Sequence, residues 1–256
     1  MPLVSIITPF YNAARWLPET LATVQAQSLV NWEHILVDDC STDGSAAIVE
    51  AVALQDFRFR LLRTPWNGGP SPARNLAIDA ARGKFIAFLD ADDLWLPDKL
   101  VRSVEWMTTH GYSFIYHDYR HISIDGSRVG ALITAPEELN LYTLHTRRGH
   151  GGCLSIVIDH EQIPDFHFPY SCKYLHEDFC AWLSLIQRGY VGHRLPADLG
   201  RYRLSDQSRS SNKLIAAAQS WKIYRQASRL PPMLAALWWM QYAWNGFWLH
   251  RFARPR

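Results

Sequence analysis

The sequence predicts an α/β fold in which a mostly parallel β-sheet is flanked by helices and followed by a helical C-terminal extension. Short apolar, β-branched runs alternate with segments whose apolar residues recur at helical spacing. Polar clusters follow one predicted strand after another. The 256 residues are 48% hydrophobic and 20% charged, which suffices to bury a core without disulfides or a structural metal.

The N-terminal part of the chain predicts strands and helices in strict alternation. Residues 3–9 form a β-branched run, and residues 13–27 then place apolar side chains on one helical face. The further predicted strands are residues 33–37, 59–62 and 85–89, and the further predicted helices are residues 45–54 and 72–82. Repeated units of this kind predict parallel strands with helices on both faces.

The remaining chain has a less regular pattern. We predict helices over residues 96–110 and 177–188, and strands over residues 113–119 and 154–158. We find no internal repeat and no convincing linker before residue 200. The economical division is one domain over residues 1–212 and an extension over residues 213–256.

Cysteine spacing and charge indicate a reducing compartment and a basic C-terminal end. The cysteines form no CxxC pair, so we expect buried thiols at Cys40, Cys153, Cys172 and Cys180. The N-terminus lacks a basic leader and a cleavage site, which favours the cytosol. From residue 201 onward, ten Lys or Arg face one acid, whereas the first 200 residues carry 16 basic against 23 acidic side chains.

Polar residues gather at one edge of the predicted sheet. They occupy residues 8–12, 38–41, 67–70 and 90–93, each after a predicted strand. Because loops at the carboxyl ends of parallel strands converge, this clustering predicts a single site. Asp90 and Asp92 follow a buried strand and suit Mg²⁺ or Mn²⁺, which complete their coordination with phosphates. The alternative is that such acids cap the next helix, as we expect for Asp98.

Two further segments at this edge suit a nucleotide. In the pair Asp38-Asp39, one carboxylate can cap a helix while the other accepts hydrogen bonds from a base or ribose. Arg74 lies in the first turn of a predicted helix, where a guanidinium and free N–H groups can hold phosphate or base oxygens. Either segment could also be an ordinary turn.

Six motifs carry a family resemblance. TPFYN, VDDCSTDGS, NGGPSPARN, FLDADD, HEDFCAWL and YRLSDQSRSSNK occur in this order over residues 3–213. Together they resemble the family 2 glycosyltransferases of the GT-A fold, a Rossmann-type architecture, and in particular enzymes that build bacterial capsule, teichuronic acid and lipopolysaccharide glycans. The resemblance implies that residues 1–212 are a catalytic domain, with a nucleotide-sugar half over residues 1–95 and an acceptor half over residues 96–212.

The resemblance also implies a donor site for a nucleotide diphosphate sugar, with UDP as the leading nucleotide, and a glycan or lipid-linked glycan acceptor. It implies that the nucleoside pocket is lined by Thr8, Pro9 and Tyr11, and that Asp39 hydrogen-bonds the base. It further implies that the base or phosphate is supported by Asn67 and Arg74. The ribose region is contacted by Asp90 and the metal by Asp92 in the same assignment. Asp92 is the direct ligand of Mg²⁺ or Mn²⁺ in this assignment, with Asp90 beside it.

Glu177 and Asp178 open a predicted helix. Taken alone, they fit an ordinary acidic pair that the free N–H groups of a helix N-terminus stabilise. The resemblance implies that Asp178 is the catalytic base and that Glu177 orients the acceptor or its loop. One carboxylate base fits direct displacement with inversion, without a covalent intermediate.

The late motif departs from the family pattern. Many relatives carry a His shortly after Tyr-Arg, whereas Tyr202-Arg203-Leu204 here leads to Ser205. Two alternatives remain for the basic residues around this motif, Arg201, Arg203 and Arg209. They could contact the diphosphate, or they could form a solvated basic face.

The C-terminal extension predicts a membrane-surface anchor at the inner face of the cytoplasmic membrane. Five of the 11 Trp lie between residues 221 and 248, and the apolar stretch 234–249 is shorter than the roughly 20 residues of a membrane span. Gln241 and Asn245, one turn apart, form a narrow polar stripe. Packing against the domain or a dimer partner, or a true span, are the alternatives. Trp-rich apolar surface argues against nucleic acid as a partner.

Two other functions fit parts of the pattern. FLDADD superficially matches a phosphotransferase with an Asp nucleophile, but that chemistry usually places its acids after the first strand. A non-catalytic sugar-nucleotide binder of a polysaccharide assembly complex is the second alternative. The presence of both Asp92 and Asp178 disfavours it.

Overall fold

The predicted alternation of strands and helices is confirmed in a computed structural model, which describes residues 1–147, 152–169, 177–204, 218 and 220–252. The elements of the first part are β1 (Val4–Phe10), α1 (Leu17–Gln25), β2 (Trp32–Asp38), α2 (Ser45–Gln55), β3 (Phe59–Arg63), α3 (Pro70–Asp79) and β4 (Phe85–Phe88). β1 pairs in parallel with β2 and β4, and β2 pairs in parallel with β3. The carboxyl ends of these four strands therefore share one edge.

The second part of the chain extends the same sheet with strands of both directions. Its elements are β5 (Leu94–Trp95), α4 (Lys99–His110), β6 (Phe114–Ile122), β7 (Val129–Ile133), β8 (Glu138–Leu139), α5 (Leu141–Thr146), a 3₁₀ turn (Cys153–Ser155), β9 (Val157–Asp159), α6 (Glu177–Gln187), β10 (Gly192–Arg203), a π-helical turn (Ile223–Ala227) and α7 (Pro232–Phe252). The strand order is β3-β2-β1-β4-β9-β6-β10-β5, with β7 on β6 and β8 on β10.

Two details of this part differ from the sequence-based prediction. The predicted strand over residues 154–158 is partly a 3₁₀ turn, and β9 runs only from Val157 to Asp159, antiparallel to both β4 and β6. The 12-residue strand β10 was not predicted. Its pairing with β6 shifts register between Leu195 and Asp198, where Pro196 lies, so its side chains lack regular alternation.

Apolar clusters cover both faces of the sheet. One cluster joins alternate strand residues such as Ile6 and Leu36 to α1, α2 and α4, and the other joins Ile7 and Ile35 to α3, α5 and α6. Because successive side chains of a strand point to opposite faces, β1 and β2, which are buried along their whole length, require this double cover.

The C-terminal helix packs on the domain through the face that we predicted to be a polar stripe. Gln241 Nε2 donates to the hydroxyl of Tyr142 at 3.0 Å, and Asn245 Nδ2 donates to the carbonyl of Thr146 at 2.6 Å. An apolar cluster at the same junction contains Cys180, Ile223, Tyr224, Leu230 and Ala235. The boundary predicted at residue 212 lies outside the described residues. Within the described part of the chain, no helix combines the length and apolarity of a membrane span.

The expectation of four buried thiols was wrong. Cys40 is a free thiol but exposed, Cys153 is free and buried, and Cys180 is disulfide-bonded. Cys172 lies outside the described residues. The absence of a CxxC pair therefore did not exclude a disulfide.

Candidate active site

The loops after β1 and β2 are joined by backbone and side-chain hydrogen bonds. Asp39 N donates to the carbonyl of Phe10 at 2.9 Å, and the amide of Thr42 donates to Asn12 Oδ1 at 2.8 Å. Asn12 itself adopts a left-handed backbone, with φ of 49°, which Asn tolerates better than most residues. These contacts bring the first two polar clusters together, as the sequence predicted.

The three residues predicted to line a nucleoside pocket differ in exposure. Thr8 and Pro9 are buried, whereas Tyr11 is half exposed and offers its ring at this edge. Thr8 Oγ1 lies 2.8 Å from Nε2 of His34. Burial lowers the pKa of His34 to about 3, so this imidazole is neutral and its Nε2 can accept a hydrogen bond from the Thr8 hydroxyl.

Asp39 holds the loop after β3. Its carboxylate accepts hydrogen bonds from Thr64 Oγ1 at 2.8 Å, from Gly68 N at 3.0 Å and from Gly69 N at 2.7 Å. Gly69 has φ of 83°, a conformation that favours glycine. The carboxylate therefore shapes the loop that carries exposed Asn67, and its predicted bond to a nucleobase stays a prediction.

Arg74 lies between carboxylates of two different elements. Its side chain is 5% exposed, and Nη2 donates to Asp90 Oδ1 at 2.6 Å. Nη1 lies 3.9 Å from Glu177 Oε1, and the guanidinium carbon lies 5.0 Å from the ring centre of Phe168. Nε and Nη1 have no hydrogen-bond partner among the residues that the structure describes. The ion pairs of Arg74 therefore join α3 to the loop after β4 and to the start of α6. The predicted contact of Arg74 with phosphate or base stays a prediction.

The acidic pair after β4 is only partly neutralised, because Arg74 pairs with Asp90 while no basic side chain among the described residues forms an ion pair with Asp92. Burial, and then the charge of Asp90, raise the pKa of Asp92 to about 6. Two carboxylates that repel each other in this way favour a bound cation. The described residues contain no group of three or more His, Cys, Asp or Glu side chains that could hold a metal ion. Asp90 and Asp92 therefore fit a cation such as Mg²⁺ or Mn²⁺ only if substrate oxygens complete its coordination.

Asp178 and Glu177 at the start of α6 lie near the β4 loop. Burial raises the pKa of the Cys153 thiol well above its ordinary value. The nearby charge of Arg74 lowers this pKa, whereas the charges of Asp90, Asp178 and Glu177 raise it further. One buried thiol thus lies within electrostatic range of both acidic pairs. Sequence reasoning did not identify Cys153 as a residue of this site, because nothing in its flanking sequence relates it to either pair.

Arg201 and Arg203, the described basic residues of the late motif, do not form a solvated face. Arg201 Nη1 lies 2.5 Å from Asp198 Oδ1, and the side chain of Arg203 is 1% exposed and lies 2.6 Å from Glu19 Oε2. Both guanidinium groups are therefore engaged by carboxylates of the protein. Ser205 and Arg209 lie outside the described residues.

Comparison with known proteins identifies the family. Residues 5–161 match the profile of glycosyl transferase family 2. The chain belongs to this family of sugar-transferring enzymes. The motifs that carried the resemblance, from TPFYN to FLDADD, fall within the matched residues.

Two relatives cover most of the chain. A putative teichuronic acid biosynthesis glycosyltransferase of Bacillus subtilis, TuaG, is 38% identical over 95% of this chain and 96% of its own length. An Escherichia coli glucosyltransferase named for UDP-glucose and GlcNAc-diphosphoundecaprenol, WfgD, is 35% identical over 86% of this chain and 85% of its own.

Solved structures share the GT-A fold. Residues 1–349 of Staphylococcus aureus TarS in complex with UDP-GlcNAc superpose with a TM-score of 0.72 at 19% identity, covering 96% of this chain and 73% of those TarS residues. A Pyrobaculum calidifontis mannosyltransferase in complex with GDP-mannose and Mn²⁺ superposes with a TM-score of 0.68 at 18% identity, covering 94% of this chain and 69% of that one.

Proposed function

We propose that this family member is a metal-dependent, inverting glycosyltransferase that moves a sugar from a UDP-sugar to a glycan or lipid-linked glycan in bacterial surface polysaccharide synthesis. The observation that carries the proposal is the meeting of two acidic pairs. Arg74 links Asp90, beside Asp92, to Glu177, beside Asp178. The proposal assigns the first pair to the donor side and the second pair to the acceptor side of one site.

The names of relatives and structural neighbours support the substrates of this proposal. The TuaG relative is named for teichuronic acid, and the WfgD relative for a sugar transfer onto a lipid-linked GlcNAc. TarS binds UDP-GlcNAc, and the mannosyltransferase binds GDP-mannose with Mn²⁺. A UDP-sugar donor, a divalent cation and a lipid-linked acceptor follow for this chain by analogy.

The chemistry is a direct displacement at the anomeric carbon. Asp178 accepts the proton of the acceptor hydroxyl as its oxygen forms the new bond to the sugar. The bond from the anomeric carbon to the diphosphate breaks on the opposite face, so the configuration inverts. Asp92, with Asp90, would hold the cation, which when bound neutralises charge on the departing diphosphate.

A donor panel tests the reaction class. We expect the protein to release UDP from a UDP-sugar in the presence of an acceptor and Mn²⁺ or Mg²⁺, and to lose this release when EDTA is added. GDP- and dTDP-sugars, with p-nitrophenyl phosphate as a control substrate, complete the panel. Cleavage of the phosphate ester without sugar-nucleotide turnover would identify the phosphotransferase instead, and binding of UDP without any turnover would identify the non-catalytic binder.

The proposal places the enzyme at the cytoplasmic face of a membrane, with α7 lying on the lipid surface. The outward side of α7 carries Met233, Leu237, Met240 and Trp244, which are 58 to 84% exposed. Their spacing of three and four residues forms one apolar stripe, which lies about a quarter turn around the helix from Gln241 and Asn245, the residues that contact Tyr142 and Thr146. The sequence around this stripe is basic, which suits anionic lipid.

Charge on the stripe should detach the protein from vesicles. We expect the double variant Leu237→Asp, Met240→Asp to remain in the supernatant when anionic phosphatidylglycerol vesicles are sedimented, whereas the wild type pellets. Leu54→Asp, Phe57→Asp is the matched control, because both residues are large, apolar and exposed but lie far from the stripe in sequence. Equal pelleting of the stripe variant and the wild type would refute the membrane contact.

A further inference from the structure

We propose that Arg203 is a positioning residue that holds the backbone of the Asp92 loop in the geometry required for a divalent cation. The inference rests on the proposed metal-dependent function. It replaces both alternatives considered for Arg203, contact with the diphosphate and a solvated face, because the side chain is almost completely buried and already engaged by protein groups.

The guanidinium of Arg203 makes three hydrogen bonds to three separate segments. Nε donates to the carbonyl of Asp92 at 2.9 Å, Nη1 to the carbonyl of Ile124 at 3.0 Å, and Nη2 to Glu19 Oε2 at 2.6 Å. The guanidinium carbon also lies 4.6 Å from the ring centre of Trp16. One side chain thus ties the Asp92 loop to α1 and to the turn after β6.

The backbone of the same strand supports this loop a second time. Arg203 N donates to Asp93 Oδ1 at 2.9 Å, and β10 pairs with β5 directly after the loop. From the other side, Thr20 Oγ1 lies 2.9 Å from the carbonyl of Ala91 and 3.1 Å from that of Asp93. The main chain on both sides of Asp92 is therefore held by hydrogen bonds, while the side chain of Asp92 remains a candidate ligand.

Lysine cannot reproduce this arrangement. An ammonium group is a compact point charge on a flexible stem, whereas the guanidinium presents donors in a rigid planar fork. The three acceptors of Arg203 belong to the Asp92 loop, the turn after β6 and α1, so a single ammonium would leave some of them without a donor. The Asp92 carbonyl would lose its fixed partner, and the carboxylate next to it would sample more orientations.

Supporting groups that orient metal ligands typically contribute 10- to 100-fold to metal affinity. We therefore expect Arg203→Lys to weaken Mn²⁺ binding by about 10-fold or more, measured by titration calorimetry in the presence of UDP. The Mn²⁺ concentration for half-maximal activity should rise by a similar factor, and kcat at saturating Mn²⁺ should change less. Binding of UDP without metal should be unchanged, which a residue in contact with diphosphate would not allow.

Arg201→Lys is the matched control. Arg201 lies on the same strand and pairs with Asp198, and its other hydrogen bond is to the carbonyl of Gly200. We expect wild-type Mn²⁺ binding from this variant. Circular dichroism and thermal melting check that each variant is folded. If Arg203→Lys does not fold, Glu19→Ala removes one partner of Arg203 at a side chain that is 52% exposed, and a smaller loss of Mn²⁺ affinity is expected.

The outcomes separate this inference from the proposed function. Wild-type Mn²⁺ affinity in folded Arg203→Lys, or in Glu19→Ala where that variant is used, would overturn the positioning role while leaving metal dependence intact. Equal losses in Arg203→Lys and Arg201→Lys would overturn it as well. A wild-type protein that binds no Mn²⁺ with UDP would refute the metal dependence and the inference together.

Discussion

Asp178→Asn is expected to lower kcat by about 10²- to 10⁴-fold, the usual contribution of a general base, with little change in the affinity for the UDP-sugar. The amide cannot accept the proton of the acceptor hydroxyl. Steady-state kinetics with separate variation of donor and acceptor measure the effect. A variant that keeps most of its kcat would exclude Asp178 as the base.

The structure indicates that this substitution spares the fold. Asp178 Oδ1 accepts a hydrogen bond from the amide of Phe179 at 2.7 Å, and the oxygen of an Asn side chain can accept the same bond. Asp165→Asn is a suitable control, because Asp165 pairs with Arg188 on the surface through a carboxylate that is 75% exposed. Its kcat should equal that of the wild type.

Asp92→Asn is expected to abolish activation by Mn²⁺ and to reduce kcat by about 100-fold or more, since a metal Lewis acid stabilises the transition state by several kcal/mol. The physical reason is the loss of one of two carboxylates that repel each other when no cation is bound. UDP release measured against Mn²⁺ concentration tests the prediction. An unchanged Mn²⁺ response would remove Asp92 from the metal site.

The same substitution should not cost stability. The pKa of Asp92 is raised to about 6, above the value of an unfolded Asp, so its charged form destabilises the folded protein above about pH 6. This penalty is absent below the unfolded value near 3.9, grows between about pH 4 and pH 6, and is fully present and constant above about pH 6. At pH 7.5 we therefore expect Asp92→Asn to melt at or above the wild-type temperature. Asp98→Asn, at an exposed carboxylate that bonds Ser28, should change neither activity nor melting by much.

The first part of the fold follows from local patterns, whereas the second part does not. Predicted strands and helices up to β4 agree with the structure within a few residues, because each is a continuous apolar run or a clear helical repeat. β10 escaped prediction because Pro196 and two register shifts disturb its alternation. Its long pairing with β6 is a contact between distant segments, which no local pattern reports.

The two faces of α7 show a similar division. Composition identified an aromatic helix beside basic residues, and the structure confirms the helix. Which face is inward depended on Tyr142 and Thr146 of α5, which bind Gln241 and Asn245. The polar stripe therefore became the docked face, and the apolar stripe that includes Leu237 remained exposed.

Strand alternation, acids at the carboxyl edge and the family motifs were all readable from residue order, because they depend on neighbours close in the chain. The choice of partner for each buried charge was not. Arg74 pairs with Asp90 and Glu177, and Arg203 pairs with Glu19, 184 residues away. Any carboxylate attracts a guanidinium, so only the packing of distant elements decides which one lies within hydrogen-bond distance.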